Sequence, residues 1–177
     1  MLSDEQLMLM FQKGASSAFE ELFDRYRNPV YGFFRRRLSD ASLAEELTQE
    51  TFIVILRGTQ RYEPKAQFRT YIYAVALKLL WSERRSTVRE SRAGVELSRQ
   101  NVVERAASET FWIRDALSKL DADHREVLML REYEQLSYDE IAALLDIPVN
   151  TVMSRLFRAR TELKALVESQ TAREASR

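Results

Sequence analysis

"LSYDEIAALLDIPVNTVMSRLFRAR", residues 136–160, carries the punctuation of two short helices joined by a tight turn. Ser137 and Glu140 form a capping box: the serine oxygen accepts from the third helical N–H, and the glutamate reaches back to the cap. Ile141, Leu144 and Leu145 then give that helix one apolar face. Asp146-Ile147-Pro148 ends it, because proline lacks an N–H and turns the residue before it away from helical geometry. The same proline suits a helix start, so a second helix opens near Pro148. Val152, Leu156, Ala159, Leu163 and Leu166 recur at spacings of four and three and make its core stripe. Asn150, Thr151, Ser154, Arg155 and Arg158 occupy the other side. This is a helix-turn-helix whose second helix is polar and basic, a shape that enters a DNA groove.

The whole chain has 27 basic and 27 acidic residues, so its formal net charge is zero. The charge is nevertheless sorted. From Leu120 to Asp146 there are eight acids against two bases, Arg125 and Arg131. From Ile147 to Lys164 there are four bases (Arg155, Arg158, Arg160, Lys164) and one acid, Glu162. Screening limits a surface charge to a reach of about 8 Å at physiological salt, so a local positive face survives overall neutrality.

A hydrophobic fraction of 45% over 177 residues supports buried cores in one domain or two small ones. Glycine and proline are scarce and no segment alternates as a half-buried strand does, so the expected fold class is all-α. With no cysteine, disulfides and thiolate metal sites are excluded. The single histidine, His124, belongs to no nucleophile or carboxylate constellation and reads as a surface or capping residue. No glycine-rich phosphate loop is present, and the expectation is no enzyme, no cofactor, no metal and no small-molecule substrate. The acidic amino-terminal start and the lack of a long apolar run point to a soluble, cytoplasmic chain.

Along the first half, Ser3 and Gln6 form a capping box for a helix ending near Gly14, and Ser17 and Glu20 cap the next. That second helix has Phe19, Leu22, Phe23, Tyr26, Val30, Phe33 and Phe34 as its apolar side, and Pro29 should kink it or divide it at Asn28. Ser42 and Glu45 cap a third helix, which ends at Arg57 with Gly58 as its terminal glycine. A loop through Tyr62-Glu63-Pro64 leads to a fourth helix from about Gln67 to Arg85. Residues 87–107 read as a linker, after which helices resume at about Glu109–Lys119 and Ala122–Tyr133. The expected architecture is two small helical domains, 1–86 and 108–170, on a tether, with 171–177 a flexible tail.

Two features of the first half exceed what a core needs. The third helix combines Asp40, Glu45, Glu46 and Glu50 with Leu43, Leu47, Phe52, Ile53, Val54, Ile55 and Leu56. Acidic charge beside surplus apolar area fits a docking face for a basic protein, although the helix dipole alone would favour the acids. On the fourth helix Phe68, Ile72, Val75 and Leu79 follow core spacing, while Tyr71, Ala74, Lys78, Trp81 and Arg85 run along an adjacent face. Arg84, Arg89 and Arg92 extend its positive track. Aromatics interleaved with cations suit unstacked bases and strand backbones; Tyr71 and Trp81 read equally as core rings.

Residues 18–166 resemble the bacterial extracytoplasmic-function (ECF, group IV) sigma factors of the sigma-70 family. "LAEELTQETFIVIL", residues 43–56, is similar to their polymerase-binding helix, with Glu45, Glu46, Leu47, Gln49, Glu50 and Phe52 in the matching places. "FRTYIYAVALKLL", residues 68–80, resembles the −10-reading segment, and residues 130–160 the −35-reading domain. The resemblance implies a region 2-like bundle and a region 4-like helix-turn-helix. It implies docking on the β′ clamp helices and β flap of core RNA polymerase. Tyr71, Lys78, Trp81, Arg84 and Arg85 would meet the −10 strand of promoter DNA. Ser154, Arg155, Phe157 and Arg158 would contact −35 DNA, with Asn150, Thr151 and Arg160 as backbone or edge contacts. Met153 stands where the family usually carries a lysine or arginine. A cognate anti-sigma factor, often membrane-associated, is a further implied partner, and would hold the chain at the inner membrane face.

A linker of about 20 residues spans roughly 65–70 Å when extended, against about 70 Å for two turns of DNA. The competing reading is a stand-alone regulator of the LuxR type, which carries a similar "LSxxEIA…TV" segment but needs a sensory domain upstream. An anti-sigma-type decoy is the third.

Overall fold

The turn after the first helix shows how short-range chemistry starts this chain. Ser3 and Gln6 form the reciprocal capping box, and α1 runs Asp4–Gln12. Gly14 takes a positive φ of 97°, which glycine adopts without steric cost. The turn delivers Ala15 in extended geometry, its N–H bonded to the Met10 carbonyl, so α2 (Ser16–Arg37) starts one residue before Ser17 could cap it. Pro29 does not divide α2. It lies on the solvent side of the helix, away from the core.

The computed structural model describes residues 1–92 and 108–175, with side chains over 1–88 and 113–169. α3 (Ala41–Gly58) is capped by Asp40, whose carboxylate accepts from the N–H groups of Ser42 and Leu43. The expected cap Ser42 thus sits inside the helix, outcompeted by a charged acceptor two residues earlier. Gly58 is not a left-handed terminus: with φ −87° it continues into a 3-10 turn, Thr59–Arg61. A β-carbon there would lie 3.4 Å from the Tyr71 hydroxyl, an ordinary van der Waals contact.

α4 spans Phe68–Arg92, seven residues beyond the expected end. "STVRESR", residues 86–92, contains neither glycine nor proline to stop it. Its core stripe also differs from expectation. Phe68, Ile72, Tyr73, Ala76, Leu77 and Leu80 are buried, whereas Val75 and Leu79 are half-buried at the margin. Both sets fit a 3.6 period, and the partners α2 and α3 select the face. The remainder of the expected linker, 93–107, lies outside the described residues.

α5 (Ser108–Lys119), α6 (Ala122–Glu132), α7 (Tyr138–Leu145) and α8 (Val149–Ala175) form the second unit. α8 continues past residue 170, because the stretch after Leu166 is rich in helix formers. Val127, Leu130, Leu136, Ile141, Val152, Leu156 and Ala159 fill this core. The first unit, α1–α4, is centred on Leu7, Met8, Leu22, Val30, Phe33, Phe34 and Ile55. The described residues are helices, turns and loops without a strand.

Candidate nucleic-acid and polymerase interfaces

The turn between α7 and α8 is built as its residues dictate. Ser137 and Glu140 make both bonds of the capping box. Asp146 adopts left-handed geometry at φ 54°, and the Ile147 N–H closes onto the Ala142 carbonyl at 3.0 Å. The Pro148 carbonyl accepts the N–H groups of Thr151 and Val152, so proline occupies the cap of α8. On the far side, Gln135 is also left-handed at φ 55°, and Arg131 Nη1 donates to the Leu136 carbonyl at 2.8 Å. These bonds fix the angle at which α8 leaves the unit.

Asn150, Ser154, Phe157 and Arg158 face solvent on α8, with Phe157 73% exposed. Thr151 and Arg155 are half-buried on the flank toward α6. Arg155 pairs with Asp123 at 2.5 Å and Arg160 with Glu132 at 2.7 Å. Lys164 lies 3.7 Å from Glu168, and Glu162 meets His124 Nδ1 at 3.2 Å. Of the four bases counted in this helix, Arg158 alone lacks an ionic partner among the described residues. Met153, where a cation is usual in the resembling family, instead lines an open apolar groove with Tyr138, Leu156 and Phe157. His124 is neither a surface nor a capping residue: Asp121 caps α6, and the half-buried imidazole links α6 to α8 through Glu162.

In the first unit Tyr71, Lys78, Trp81 and Arg85 share the face of α4 turned away from its core, with Trp81 38% exposed. Tyr71 is half-buried, its ring 5.3 Å from Tyr62 and 6.1 Å from Phe68, so it serves packing as well as the face. Burial pushes the Tyr62 hydroxyl up to about 12 and raises that of Tyr71. Arg84 is exposed but points off this face by one residue step, about 100°. The side chains of Arg89 and Arg92 lie outside the described residues.

α3 divides its predicted docking residues in two. Glu45, Glu46 and Gln49 are exposed and Glu50 is half-buried. Leu47 (7% exposed) and Phe52 (3%) belong to the core and shape the face from beneath. Phe52 packs edge-on against Phe23 at 4.8 Å and Phe19 at 6.3 Å. Apolar surface beside the acids comes from Leu56 (42% exposed), Phe23, Ile53 and Val54. Spacing alone places Phe23 on the core side of α2; it stands at the rim, 36% exposed against Phe52, through a cross-helix contact that spacing does not reveal.

The loop between α3 and α4 is held by residues that sequence reasoning missed. Gln12 Nε2 donates to the carbonyls of Thr59 at 2.7 Å and Tyr62 at 2.8 Å. Glu5 Oε1 accepts the Phe68 N–H at 2.8 Å, across 63 residues, and so caps the start of α4. That N–H holds the Glu5 carboxyl below its usual range. Between these anchors, residues 63–67 are all exposed.

Among the described residues no cluster of histidine or carboxylate side chains could hold a metal. No described helix is long and apolar enough to cross a membrane.

The sigma-70 region 2 family model matches residues 22–90, and the sigma-70 region 4 model matches residues 110–163. The chain is 32% identical to the RNA polymerase sigma factor CarQ of Myxococcus xanthus, over 90% of this chain and 95% of that one. It is 32% identical to the RNA polymerase sigma-H factor of Pseudomonas aeruginosa, with 92% and 93% covered. Against the ECF RNA polymerase sigma-E factor of Escherichia coli it is 31% identical, with 94% and 95% covered. Two solved structures share the fold. One is the sigma factor RpoE in complex with the anti-sigma factor NepR from Bartonella quintana (TM-score 0.74, 22% identity, 85% of this chain and 96% of that one). The other is CnrH in complex with the cytosolic domain of CnrY (TM-score 0.71, 24% identity, 94% and 97%). The chain belongs to the ECF sigma factors of the sigma-70 family, which bind core RNA polymerase and direct it to start transcription at promoters.

Proposed function

We propose that the two units divide promoter recognition between them, with α8 reading the −35 element and α4 with its preceding loop reading the opened −10 strand. The carrying observation is Arg158. It stands without an ionic partner on the solvent side of a helix whose other counted bases are each matched by an acid. Ser154 and Phe157 flank it, giving a hydroxyl and an apolar ring for base edges, including a thymine methyl. Asn150, Thr151, Arg155 and Arg160 take backbone and edge positions. A paired arginine reaches a phosphate only by leaving its carboxylate, so the unit's own attraction for DNA is small. Tyr71, Lys78, Trp81, Arg84 and Arg85 supply the cations and rings for the −10 strand.

Affinity then comes from holding both footprints on one polymerase, through effective concentration. α3 presents Glu45, Glu46, Gln49 and Glu50 to the basic clamp helices of β′, supported by buried Leu47 and Phe52, and the second unit touches the β flap. An anti-sigma factor that covers these polymerase-facing surfaces is the matching regulator, as the structural neighbour RpoE is seen in complex with the anti-sigma factor NepR. Its membrane association would hold an otherwise cytoplasmic chain at the inner face.

Run-off transcription with reconstituted holoenzyme tests the assignment. Glu50→Lys should weaken assembly with core polymerase while circular dichroism stays native. Unchanged assembly would remove α3 from the interface. Nanomolar promoter binding by the free chain would contradict the shared-affinity scheme and favour a stand-alone regulator.

A further inference from the structure

We propose that α1 is a positioning element for promoter opening: Gln12 and Glu5 fix the two ends of the segment from Thr59 to Phe68 and so set the geometry with which its exposed middle meets the −10 strand. This rests on the assignment of that loop and α4 to the −10 element.

Three hydrogen bonds carry the inference. The Gln12 side-chain amide forks onto the Thr59 and Tyr62 carbonyls at 2.7 and 2.8 Å, and the Glu5 carboxylate takes the Phe68 N–H at 2.8 Å. Two carbonyl acceptors require the Gln12 NH2, so the amide's orientation is fixed by the contact itself. Glu5 also places negative charge at the amino end of the α4 dipole. α1 has anchors besides the Gln12 and Glu5 side chains: it buries Leu7 and Met8, and Asp4 accepts from Arg25 and from the Tyr26 hydroxyl on α2. The bonds therefore serve the segment they hold. Their effect extends into the α4 face: Tyr62, anchored through its carbonyl, is buried with its ring 5.3 Å from that of Tyr71. Residues 63–67, exposed between the anchors, gain a defined entry and exit while keeping their middle available. A base drawn from the stack then meets a loop whose ordering cost has already been met in the folded chain.

The test uses holoenzyme with Gln12→Ala, Glu5→Ala or Glu5→Gln. Open complexes are counted by permanganate footprinting on a cognate promoter and on a copy with a substituted −10 element, with core affinity measured in parallel. Glu5→Ala should lower the cognate-to-substituted ratio about fivefold, the size of one net hydrogen bond, and Gln12→Ala, which removes two, at least as much, while core affinity holds. Glu5→Gln, which keeps an acceptor for the Phe68 N–H, should restore most of the ratio. Equal loss on both promoters would mean a merely structural brace and overturn the proposal. Replacing residues 63–67 by glycine and serine separates the two layers of argument. If that replacement leaves the ratio at the wild-type value, the −10 assignment fails and the proposal with it. If it abolishes the ratio while the α1 variants keep theirs, the assignment stands and the proposal falls.

Discussion

The α7–α8 turn and the α3–α4 loop, the two elements we propose to meet nucleic acid, are held by different means. Every bond that shapes the α7–α8 turn joins residues within a few positions: Ser137 with Glu140, Ile147 with Ala142, Thr151 with Pro148. The α3–α4 loop is held by Gln12 and Glu5, from 47 to 63 residues away in the chain. A locally fixed turn keeps its shape wherever its unit is placed, as a rigid reader of duplex DNA requires. The α3–α4 loop has local turn bonds too, Tyr62 N–H to the Thr59 carbonyl and Lys65 N–H to the Glu63 carbonyl, but its two ends are tied to α1, and residues 63–67 between them stay exposed. In the first case shape and recognition share residues; in the second they are separated.

The largest test asks whether local bonds also stabilise the second unit. Leu156 is 1% exposed beneath α7, and Leu156→Ala should cost about 2–5 kcal/mol through lost burial and a cavity. Ser137→Ala removes a cap and should cost only about 1 kcal/mol. Urea unfolding of the full chain, read with amide exchange in α5–α8, measures both. Equal costs would break the division in which capping sets the angle and the core sets the stability.

Next comes recognition itself. Arg158→Ala should cost about 1–3 kcal/mol of discrimination between cognate and scrambled −35 elements if the guanidinium bonds a base in bidentate fashion. Arg160→Ala breaks an exposed pair with Glu132 and should change promoter discrimination by no more than about 1 kcal/mol. Holoenzyme titrations on the two promoters give both values. A uniform loss for Arg158→Ala across sequences would make it a phosphate contact, and a larger loss for Arg160→Ala would reverse the reading of the ion pairs.

This contrast also explains what the sequence discloses. The second unit was legible to within a residue or two at its helix boundaries except the end of α8, which runs to Ala175, because capping boxes, the Asp146–Pro148 break and the leucine stripe are neighbour effects. The charge count of α8 was equally plain, yet the pairing of Arg155 with Asp123 and of Arg160 with Glu132 was not. Those partners lie on another helix, and composition cannot say which acid meets which base. The stripe of α4 failed for the same reason: Ile72–Leu80 fits a helical period on two neighbouring faces, and only the packing partners choose. Buried Leu47 and Phe52 show the limit most plainly, since a motif residue that shapes a face from below reads the same as one that touches a partner.

The smallest expected effect concerns the long-range cap. Glu5 accepts the Phe68 N–H, which lowers its pKa in the folded chain. A carboxyl with a folded pKa below its unfolded value stabilises the fold at pH above the unfolded value, and that contribution is lost as pH falls through the folded one. Acidification from neutral pH through and below the usual carboxylate range should therefore loosen the start of α4, protonating the carboxylate that accepts the Phe68 N–H. Glu5→Gln retains an oxygen for the Phe68 N–H but does not titrate. Its melting temperature should start slightly below wild type at pH 7, having lost the charge, and fall less on acidification, so that the two curves converge. Asp121 accepts from the N–H groups of Asp123 and His124, is lowered by them, and titrates identically in both proteins, which cancels it from the comparison. Parallel curves would show that the Glu5 charge adds nothing to the hydrogen bond. The long-range anchor would then be one of position alone, closer in kind to the neutral Gln12 fork than to the charged cap Asp121 supplies to α6.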